Sequence, residues 1–597
     1  MSDFISESNR LRKAGEVEEA MAVLRRGLRP AGVPADAHER AGRLLLKHQG
    51  AAKAPRVRVL GQCTTSWIVP TLTAVAWARN TPLAVSEGEY DSVMQELAHG
   101  VEAEVLVLLP WTQRLFAPDA RSEAERIESE MGFWQAAWAS RGSARLVMVG
   151  YDLAAPGPEG VMLGAAGRMR LVRRMNEALR AALPSGAAFV DLEAISAGMG
   201  RERFYDPRRW FWTKQPFSEE GTLRLCRHLL AAVRALLTGP KKVLVLDLDN
   251  TLWGGVVGEL GPYGVQLGES PDGEAFRAFQ GYCKGLARRG VLLVVASKNN
   301  DADAREPFLK NPDMVLKLED MAAFSANWEP KSGNIAAMAE KLRLGLDSFV
   351  FFDDNPAERE QVRQALPAVE VVDVPEDPAE YVAALEASLL FESLSLTAED
   401  AERSAQYQAE SLREEAREQF GSLDDYLTSL GMVADLRPVD DADMQRVVQL
   451  LGKTNQFNLT TRRHGEEVVR QFLADPRSVL YTLRLADRFG DHGLVAVVFA
   501  VPREESTLHV DTLLMSCRVI GRTVEQFLWA AVLEEAHRLG FERVEAEYIP
   551  TAKNAQVAAL YDGFGLARVS EGDHGVRYAA SLPELARPRH FVAQQRG

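Results

Sequence analysis

The sequence has little cysteine, no long apolar run and no excess of positive charge. Its four cysteines are scattered without the spacing of metal ligands, so we expect free thiols in a reducing cytoplasm. The N-terminus has no apolar leader, and no uncharged apolar stretch is long enough to cross a bilayer. We therefore expect a protein that is neither exported nor membrane-spanning. The formal net charge of −15 argues against nucleic acid and anionic membranes as partners.

The remaining composition is that of an ordinary globular protein, with 46% hydrophobic and 26% charged residues. A chain of 597 residues is too long for one core, so several domains are expected. Apolar strands alternate with helices up to about residue 375, which predicts α/β domains, and later strands precede helices, which predicts an α+β domain. We place the segments as a helical prefix, an α/β domain, a second α/β domain, a helical linker and an α+β domain: 1–52, 53–238, 239–378, 379–434 and 435–587.

The helical segments are predicted from their amphipathic spacing. The prefix reads as two helices, the second of them from Ala35 to His48. The linker reads as helices over Ala379–Leu390 and Ala398–Phe420, the second of them rich in Glu and Arg. That charged helix is either a docking surface for a partner protein or a solvated linker.

The clearest chemical signal is the stretch from Val243 to Asp249. The run from Val243 to Leu248 is apolar apart from Asp247, as in a strand buried on both faces of a parallel sheet, and Asp247 and Asp249 lie at its carboxyl end. Alternate positions of an extended chain point to the same side, so both carboxylates face one place. Two acids there need a counter-charge, and Mg²⁺ is the usual one. The alternative is a strand cap with solvated acids.

Two further apolar runs, Gly290–Ala296 and Ser348–Phe352, also read as buried strands that end in polar residues. A lysine stands before a helix between them. The polar residues at these places are Ser297, Lys298, Asn299, Lys331, Asp353 and Asp354. Scattered surface residues would not produce acids and a hydroxyl at the tips of three separate buried strands.

This ordered set resembles the motifs of the haloacid dehalogenase (HAD) phosphotransferase superfamily, with Asp247-x-Asp249-x-Thr251 as the first motif. The resemblance implies that Asp247 attacks phosphorus and forms an aspartyl phosphate. Asp249 would protonate the leaving oxygen and later deprotonate water. Ser297 and Lys331 would bind the phosphoryl oxygens.

The same resemblance implies a Mg²⁺ site and a substrate site. The metal would be held by Asp247, by the backbone carbonyl of Asp249 and by one acid of the last pair, for which we favour Asp354 over Asp353. We assign the following residues to substrate binding: Thr251, Ser297, Lys298 and Asn299.

Three stretches narrow the resemblance to the FkbH-like family: Trp253-Gly-Gly255, Ala296-Ser-Lys-Asn-Asn300 and Phe351-Phe-Asp-Asp-Asn-Pro-Ala-Glu-Arg-Glu360. The first two motifs are too close together for a large cap domain, and an open site suits a substrate presented on a macromolecule. The resemblance implies transfer of a glyceryl unit from 1,3-bisphosphoglycerate, with dephosphorylation, to the phosphopantetheine thiol of an acyl carrier protein. Such proteins serve polyketide and related pathways.

The domain before this region resembles the SGNH hydrolases, with Cys63 at the position of their serine nucleophile. Asp206 has no histidine three residues later, so ordinary ester hydrolysis is not expected. A thiol between a strand and a helix N-terminus would favour the thiolate, which makes Cys63 a candidate covalent acyl acceptor, with Asp206 and Lys214 as weaker candidates for the same site. The alternative is a small buried core residue. The domain's predicted strands are Val57–Gly61, Val105–Pro110, Arg145–Val149 and Ala188–Asp191.

The last domain resembles the GNAT acyltransferases. Its expected meander consists of Ser478–Arg484, Gly493–Phe499 and Leu508–Leu514. Arg518, Gly521 and Arg522 then resemble the turn that binds the pyrophosphate of coenzyme A, and Asn554 opens the closing motif. The turn has fewer glycines than the family pattern, so we expect a pantetheine arm from a carrier protein rather than acetyl-CoA. The polar segment Lys453–Arg462 could line such a site.

Two other functions remain open. The chain could be a plain HAD phosphatase acting on another phosphorylated metabolite, or a GNAT-type acyltransferase whose HAD region only binds. The intact Asp247, Asp249, Lys331 and Asp354 argue against an inactive HAD region. The turn near Arg518 has fewer glycines than the GNAT pattern, which argues against the acyltransferase hypothesis.

Overall fold

The computed structural model describes residues 4–30, 32–47, 54–116, 121–155, 157, 167–394, 420–454, 456–516, 519–551, 553–572 and 575–595. The chain divides into two compact units. The first comprises Met1–Val256, Val265–Phe279 and Leu346–Ser395, and the second comprises Val257–Gly264, Gln280–Gly345 and Leu396–Gly597. None of the helices in these described ranges combines the length and apolar composition that a membrane crossing needs.

The strands, in chain order, are β1 (Arg56–Gly61), β2 (Ala84–Glu87), β3 (Val105–Leu109), β4 (Arg145–Val149), β5 (Ala188–Val190), β6 (Val243–Leu246), β7 (Leu292–Ser297), β8 (Met321–Ala326), β9 (Phe349–Phe352), β10 (Glu370–Val371), β11 (Val433–Pro438), β12 (Val479–Asp487), β13 (Gly490–Glu504), β14 (Thr507–Met515), β15 (Arg543–Tyr548), β16 (Ala567–Gly572), β17 (Gly575–Ser581) and β18 (Ala593–Gln594).

The helices of the described ranges are α1 (Phe4–Lys13), α2 (Val17–Leu28), α3 (Ala35–Leu46), α4 (Ile68–Ala78), α5 (Val93–Ala98), α6 (Glu123–Ala139), α7 (Arg168–Ala182), α8 (Leu192–Met199), α9 (Arg201–Phe204), α10 (Pro207–Thr213), α11 (Glu219–Leu237), α12 (Val257–Leu260), α13 (Pro271–Arg288), α14 (Asp301–Lys310), α15 (Lys331–Lys341), α16 (Pro356–Ala365), α17 (Tyr381–Ala387), α18 (Leu423–Ser429), α19 (Met444–Lys453), α20 (Glu466–Leu473), α21 (Val524–Arg538) and α22 (Leu560–Gly563).

The first unit opens with three amphipathic helices, α1 to α3, where the sequence predicted two. Gly15 separates α1 from α2, because its φ of +87° is a conformation that glycine reaches at little cost. Leu24 and Leu45 are buried in one cluster with Ala74 and Ala78 of α4. The helical prefix therefore packs on the following α/β region through its apolar face.

A five-stranded sheet follows in the same unit, in the order β2-β1-β3-β4-β5. All its strand pairs are parallel. Every residue of β3 is buried, as its run of Val and Leu predicts for a strand covered on both faces. The four predicted strands are confirmed. The short strand β2 was not predicted, because half of its residues are exposed and polar.

The first unit also contains the parallel strands β10, β9 and β6, paired in that order. β6 and β9 are buried along their whole length. Leu246 is paired with Phe352, so the residues that follow the two strands, Asp247 and Asp353, lie side by side. This register brings the first and last sequence motifs to one edge.

In the second unit, β7 and β8 pair in parallel, with Ser297 opposite Ala326. The described C-terminal part forms a sheet in the order β16-β17-β15-β14-β13-β12-β11-β18. Strands β11 to β14 pair antiparallel with one another in chain order, and β12 to β14 confirm the predicted meander. The outer neighbours are parallel, β18 beside β11 and β15 beside β14. Trp529 of α21 is fully buried in the core of this sheet.

Two predicted features lie outside the described residues. They are nearly all of the predicted helix Ala398–Phe420, and the pair Cys517 and Arg518. The predicted helix Ala379–Leu390 is observed as the shorter α17, Tyr381–Ala387.

Candidate active site

Three carboxylates meet at the carboxyl ends of β6 and β9. Asp247, Asp353 and Asp354 bring side-chain oxygens within 4.8 Å of one another. The backbone holds this arrangement, because the Asp247 amide donates to the carbonyl of Phe352 at 3.2 Å. Asp247 is 7% exposed and Asp353 is fully buried. Buried carboxylates so close together repel one another, and an all-oxygen donor set of this kind suits a hard cation such as Mg²⁺.

Thr251 lies behind one of these acids. Its hydroxyl donates to Oδ1 of Asp354 at 3.1 Å, and the hydroxyl oxygen accepts from the Asp354 amide at 3.3 Å. Thr251 is fully buried. The structure therefore shows Thr251 as a residue that positions Asp354, whereas the sequence assigned it to substrate.

The backbone of the last motif, Asp353 and Asp354, is fixed by hydrogen bonds. Arg359 of α16 donates through Nη1 to the carbonyl oxygens of Asp353 and Asp354, at 2.8 and 2.7 Å. The amide of Asn355 donates to Oδ1 of Asp353 at 2.8 Å. Arg359 has no role in the sequence interpretation, although it lies in the quoted stretch that ends at Glu360.

Trp253 orients the second acid of the first motif. Its indole Nε1–H donates to Oδ1 of Asp249 at 2.9 Å, and its ring is fully buried. Asp249 itself is half-buried. A proton-transferring carboxyl must keep a fixed direction, and this hydrogen bond supplies one. The sequence analysis used Trp253 only as a family marker.

The turn after the first motif depends on Gly254. Gly254 and Gln266 exchange two backbone hydrogen bonds, at 3.1 and 2.8 Å. A Cβ on Gly254 would lie 2.3 Å from Oε1 and 2.9 Å from Cβ of Gln266, and 3.0 Å from the ring of Phe276. Only glycine fits this close approach without a shift of its neighbours.

Tyr381 fastens the same loop from α17. Its hydroxyl donates to the carbonyl of Asn250 at 2.9 Å. Asn250 adopts a φ of +54°, and its Oδ1 accepts from the Gly255 amide at 2.8 Å. Burial, followed by the nearby charge of Asp354, raises the pKa of Tyr381 to about 12, so the hydroxyl keeps its proton and stays a donor.

The other predicted phosphate-binding residues lie in the second unit. Ser297 is the last residue of β7 and is buried, and Nδ2 of Asn299 lies 3.4 Å from its hydroxyl oxygen. Lys331 is the first residue of α15, which contacts β7, and it is also buried. Lys298 is exposed. A hydroxyl and an ammonium group of this kind suit phosphoryl oxygens, and their assignment stays a prediction.

Cys63 does not have the environment that the sequence predicted. It is 1% exposed, and burial, with a smaller contribution from Asp91, raises the pKa of its thiol to about 12. Helix α4 begins only at Ile68, so Cys63 lies outside its first turn. The predicted thiolate is wrong, because the loss of hydration outweighs any helix dipole.

The other two residues named for this site have structural contacts. Asp206 caps α10 through the amides of its own helix, and the carbonyl of Lys214 accepts from the Thr64 amide at 3.0 Å.

Two predicted pantetheine-binding residues are engaged inside the second unit. Arg522 is 4% exposed and contacts Asp487 at 3.4 Å and His492 at 3.1 Å. Asn554 is fully buried, and its Nδ2 donates to the carbonyls of Asn458 and Ile549, both at 2.9 Å. These side chains have internal partners in this structure, and their assignment to pantetheine binding stays a prediction. Gly521 has a φ of +77°.

The sequence analysis missed a polar cluster next to the segment that ends at Arg462. Asp511 accepts from Arg462 at 2.7 Å and lies 2.6 Å from Nε2 of His464. Arg462 also donates to Glu547 at 2.6 Å. The cluster ties this segment to β14 and β15, and no local sequence pattern joins residues so far apart in the chain.

A parallel α/β arrangement that presents Asp-x-Asp-x-Thr beside a second acid pair, all at strand ends, defines a HAD-type phosphatase. A solved structure agrees with this class: the N-terminal part of the protein BF1531 from Bacteroides fragilis, which contains a phosphatase domain and was complexed with Mg. It has 30% sequence identity to this chain and a TM-score of 0.54, and the match covers 61% of this chain and 100% of that one. The chain belongs to the family of that protein, the FkbH-like phosphatases of the HAD superfamily.

Other comparisons are weaker. The ribosomal-protein-S18-alanine N-acetyltransferase from Escherichia coli matches with 12% identity and a TM-score of 0.20, covering 25% of this chain and 94% of that one. A domain from Methanocaldococcus jannaschii matches with 14% identity and a TM-score of 0.21, covering 25% and 97%. Likenesses of this size do not define a fold. No family profile and no curated protein matches the sequence.

Proposed function

We propose that the chain is a cytoplasmic, Mg²⁺-dependent phosphatase and glyceryl transferase. It takes a glyceryl unit from 1,3-bisphosphoglycerate, removes the phosphate and delivers the unit to the phosphopantetheine thiol of an acyl carrier protein in a polyketide-type pathway. The observation that supports it most is the meeting of Asp247, Asp353 and Asp354 within 4.8 Å at the strand ends of a phosphatase family member. The donor and the carrier rest on the FkbH-like resemblance.

Asp247 and Asp354 would hold Mg²⁺ through carboxylate oxygens, with the backbone carbonyl of Asp249 as a further ligand and Asp353 beside them. The metal, when bound, neutralises charge on the phosphoryl oxygens and on the crowded acids. The homologous BF1531 fragment was complexed with Mg, which supports this choice. Thr251 and Arg359 would keep the direction of the acid pair as they do in the protein alone.

The phosphatase half is carried by Asp247 and Asp249. A carboxylate oxygen of Asp247 attacks phosphorus, the bond from phosphorus to the glyceryl oxygen breaks, and Asp249 gives its proton to that oxygen. Asp249 then takes a proton from water, whose oxygen attacks the aspartyl phosphate, so that inorganic phosphate leaves and the Asp247 carboxylate is restored. Ser297 and Lys331 bind the phosphoryl oxygens in this proposal.

The transfer half needs no thiol of this chain. The carrier thiol loses its proton to solvent and attacks the acyl carbon of 1,3-bisphosphoglycerate, the bond from carbon to the phosphate oxygen breaks, and a thioester forms. Cys63, with its raised pKa, is a poor relay for this step, since the thiolate is the reactive form.

A plain phosphatase on another phosphorylated metabolite is the second candidate. The observation that favours it is that the acids at the strand ends of β6 and β9, with their side-chain partners, are groups that suit a cation and a phosphoryl group. An acyltransferase with an inactive HAD region is not favoured, because Arg522 and Asn554 are engaged elsewhere.

One experiment separates these functions. The protein is incubated with Mg²⁺, 1,3-bisphosphoglycerate and a holo-carrier protein, and released phosphate and the intact masses of both proteins are measured. A glyceryl adduct on the carrier supports the proposal, and phosphate release without an adduct identifies a plain phosphatase. Cys63→Ala is the matched variant, and we expect it to form the adduct at the wild-type rate.

A further inference from the structure

A second cluster of charges in the first unit is cationic. Glu370, the first residue of β10, is 13% exposed in its side chain. Nη1 of Arg79, at the end of α4, lies 3.4 Å from Glu370, and Nη2 of Arg234, on α11, lies 3.6 Å from it. One carboxylate thus faces two guanidinium groups and neutralises only one of them.

Three more cations face the same place. Nε of Arg29 donates to the carbonyl of Ala78 at 3.3 Å, and Nζ of Lys241 donates to the carbonyl of Asp347 at 2.6 Å. Arg227 makes no hydrogen bond and no ion pair with any residue that the structure describes. Arg79 is the shared neighbour, because its charge acts on Arg29, Arg227 and Lys241 as well as on Arg234.

The carboxylates near this cluster do not balance it. Glu360 acts on Arg29 and Asp347 acts on Lys241, and in both cases the effect is smaller than that of Glu370. Arg363 also faces Arg29, but it is paired with Asp373 and lies 3.9 Å from Glu360, so it is not counted in the excess. A local excess of cations in a chain with a formal net charge of −15 is unfavourable unless an anion joins it.

The surroundings are partly removed from water. Burial lowers the pKa of Lys241 to about 8, and it lowers the pKa of Arg227, with the charges of Arg79 and Arg224 adding to the effect. Nε2 of His228 and Nε of Arg224 are buried and have no hydrogen-bond partner among the described residues. Arg224, Arg227 and His228 belong to α11, which packs on α3 and α4, and the charge of Arg227 acts on His38 of α3.

We propose that this cluster is a binding site for a phosphate dianion, either inorganic phosphate or the phosphate of a phosphorylated metabolite. Guanidinium groups bind phosphate oxygens through paired N–H donors. Several guanidinium groups around one anion favour a doubly charged anion over a singly charged one. Arg79 is 35% exposed in its side chain and is accessible to an anion from solvent, whereas Arg234 is 14% exposed. The site shares no residue with the carboxylates of the candidate active site.

Phosphate binding to the full chain tests the proposal by titration calorimetry. EDTA is present throughout, so that metal-dependent binding at the HAD site does not contribute. We expect one saturable site for inorganic phosphate, and we expect Arg227→Gln to weaken it about tenfold, since it removes a charged donor. Asp247→Asn and Arg40→Gln, a change at a 58% exposed side chain of α3, are the matched controls and keep the site. No saturable binding, or binding that Arg227→Gln leaves unchanged, overturns the proposal.

Two additions make the result decisive. Arg227→Lys keeps the positive charge but loses the paired N–H donors of the guanidinium group. Reduced phosphate binding with an unchanged circular dichroism spectrum then shows that these donors recognise phosphate and that the variant is not misfolded. 3-Phosphoglycerate is titrated beside inorganic phosphate: tighter binding of the ester identifies a phosphorylated metabolite as the occupant, and equal binding identifies the free ion. None of these readouts depends on catalysis, so they stand whether or not the proposed transfer reaction is found.

Discussion

The hydroxyl of Thr251 and the side chain and amide of Asp354 are joined by two contacts, at 3.1 and 3.3 Å, across the carboxyl ends of two paired strands. The last residue of the first motif is thus connected directly to the last motif. A hydroxyl is needed there because its oxygen can donate and accept at once, and the residue has no exposure to solvent.

We expect Thr251→Val to impair the cation site without removing any carboxylate. The variant leaves Asp354 without the hydroxyl that orients it, so the Mg²⁺ concentration needed for half-maximal phosphate release should rise about tenfold. Thr251→Ser keeps the oxygen and should stay close to wild type. An unchanged Mg²⁺ requirement in the valine variant would show that this contact does not position the acid.

A second prediction concerns Trp253 and Asp249. Trp253→Phe removes the N–H that binds Oδ1 of Asp249 and keeps an aromatic ring in the buried site. We expect kcat for phosphate release to fall about tenfold, because the proton-transferring carboxyl loses its fixed direction. The Mg²⁺ requirement should not move, since Asp247 and Asp354 are untouched. A rise in that requirement with an unchanged kcat would contradict this role.

Gly254 and Gly258 form a matched pair for stability. Gly254→Ala places a methyl group 2.9 Å from Cβ of Gln266, and the resulting shift should cost about 2 kcal/mol of the free energy of unfolding and reduce activity. A Cβ on Gly258 would meet nothing within 4 Å, so Gly258→Ala should change neither quantity measurably. Denaturant unfolding measures both variants, and equal effects would mean that close packing at Gly254 is not the reason for its glycine.

The pH dependence of stability should reflect His38. Burial, with smaller contributions from the charges of Arg227 and Arg79, lowers the pKa of His38 from 6.5 to about 4, against the opposing effects of a hydrogen bond to Pro34 and the charge of Asp36. The folded protein therefore holds this histidine neutral, while the unfolded chain binds a proton below pH 6.5. The contribution of His38 to the free energy of unfolding is therefore present above pH 6.5 and is lost as the pH falls toward 4.

The expected loss from His38 is about 3 kcal/mol over that interval. His38→Gln should make the fall in the free energy of unfolding between pH 6.5 and pH 4.5 smaller than in wild type, measured by denaturant titration at each pH. His99→Gln, a change at an exposed histidine, is the control and should leave the slope as it is. Identical slopes for His38→Gln and wild type would rule out this linkage.

The strands that carry the site could be predicted from the sequence. Val243–Leu246 and Phe349–Phe352 are apolar without interruption and end in acids, and both the strands and the meeting of their acids are confirmed. The orientation of Thr251 could not be predicted, because it depends on the register between β6 and β9, which no local pattern encodes. Motif residues were found by type and order, and their partners, Arg359 and Tyr381, only by geometry.

The surroundings of Cys63 and Arg522 could not be predicted from the sequence, for one physical reason. Both residue types were interpreted by the chemistry that they have in water, whereas the fold buries both. Burial protonates the thiol, and it pairs Arg522 with Asp487, a residue of a different hairpin. A single sequence does not show which polar residues are buried, since that depends on contacts between distant segments.

In the proposed reaction, Asp247 removes phosphate from a glyceryl unit that ends on a carrier protein. The most direct measurement is the intact mass of a holo-carrier protein after incubation with Mg²⁺, 1,3-bisphosphoglycerate and either wild-type protein or Asp247→Asn. We predict that wild type adds an unphosphorylated glyceryl group and that Asp247→Asn adds none. An unphosphorylated glyceryl adduct made by Asp247→Asn, or no adduct with wild type, would contradict the account.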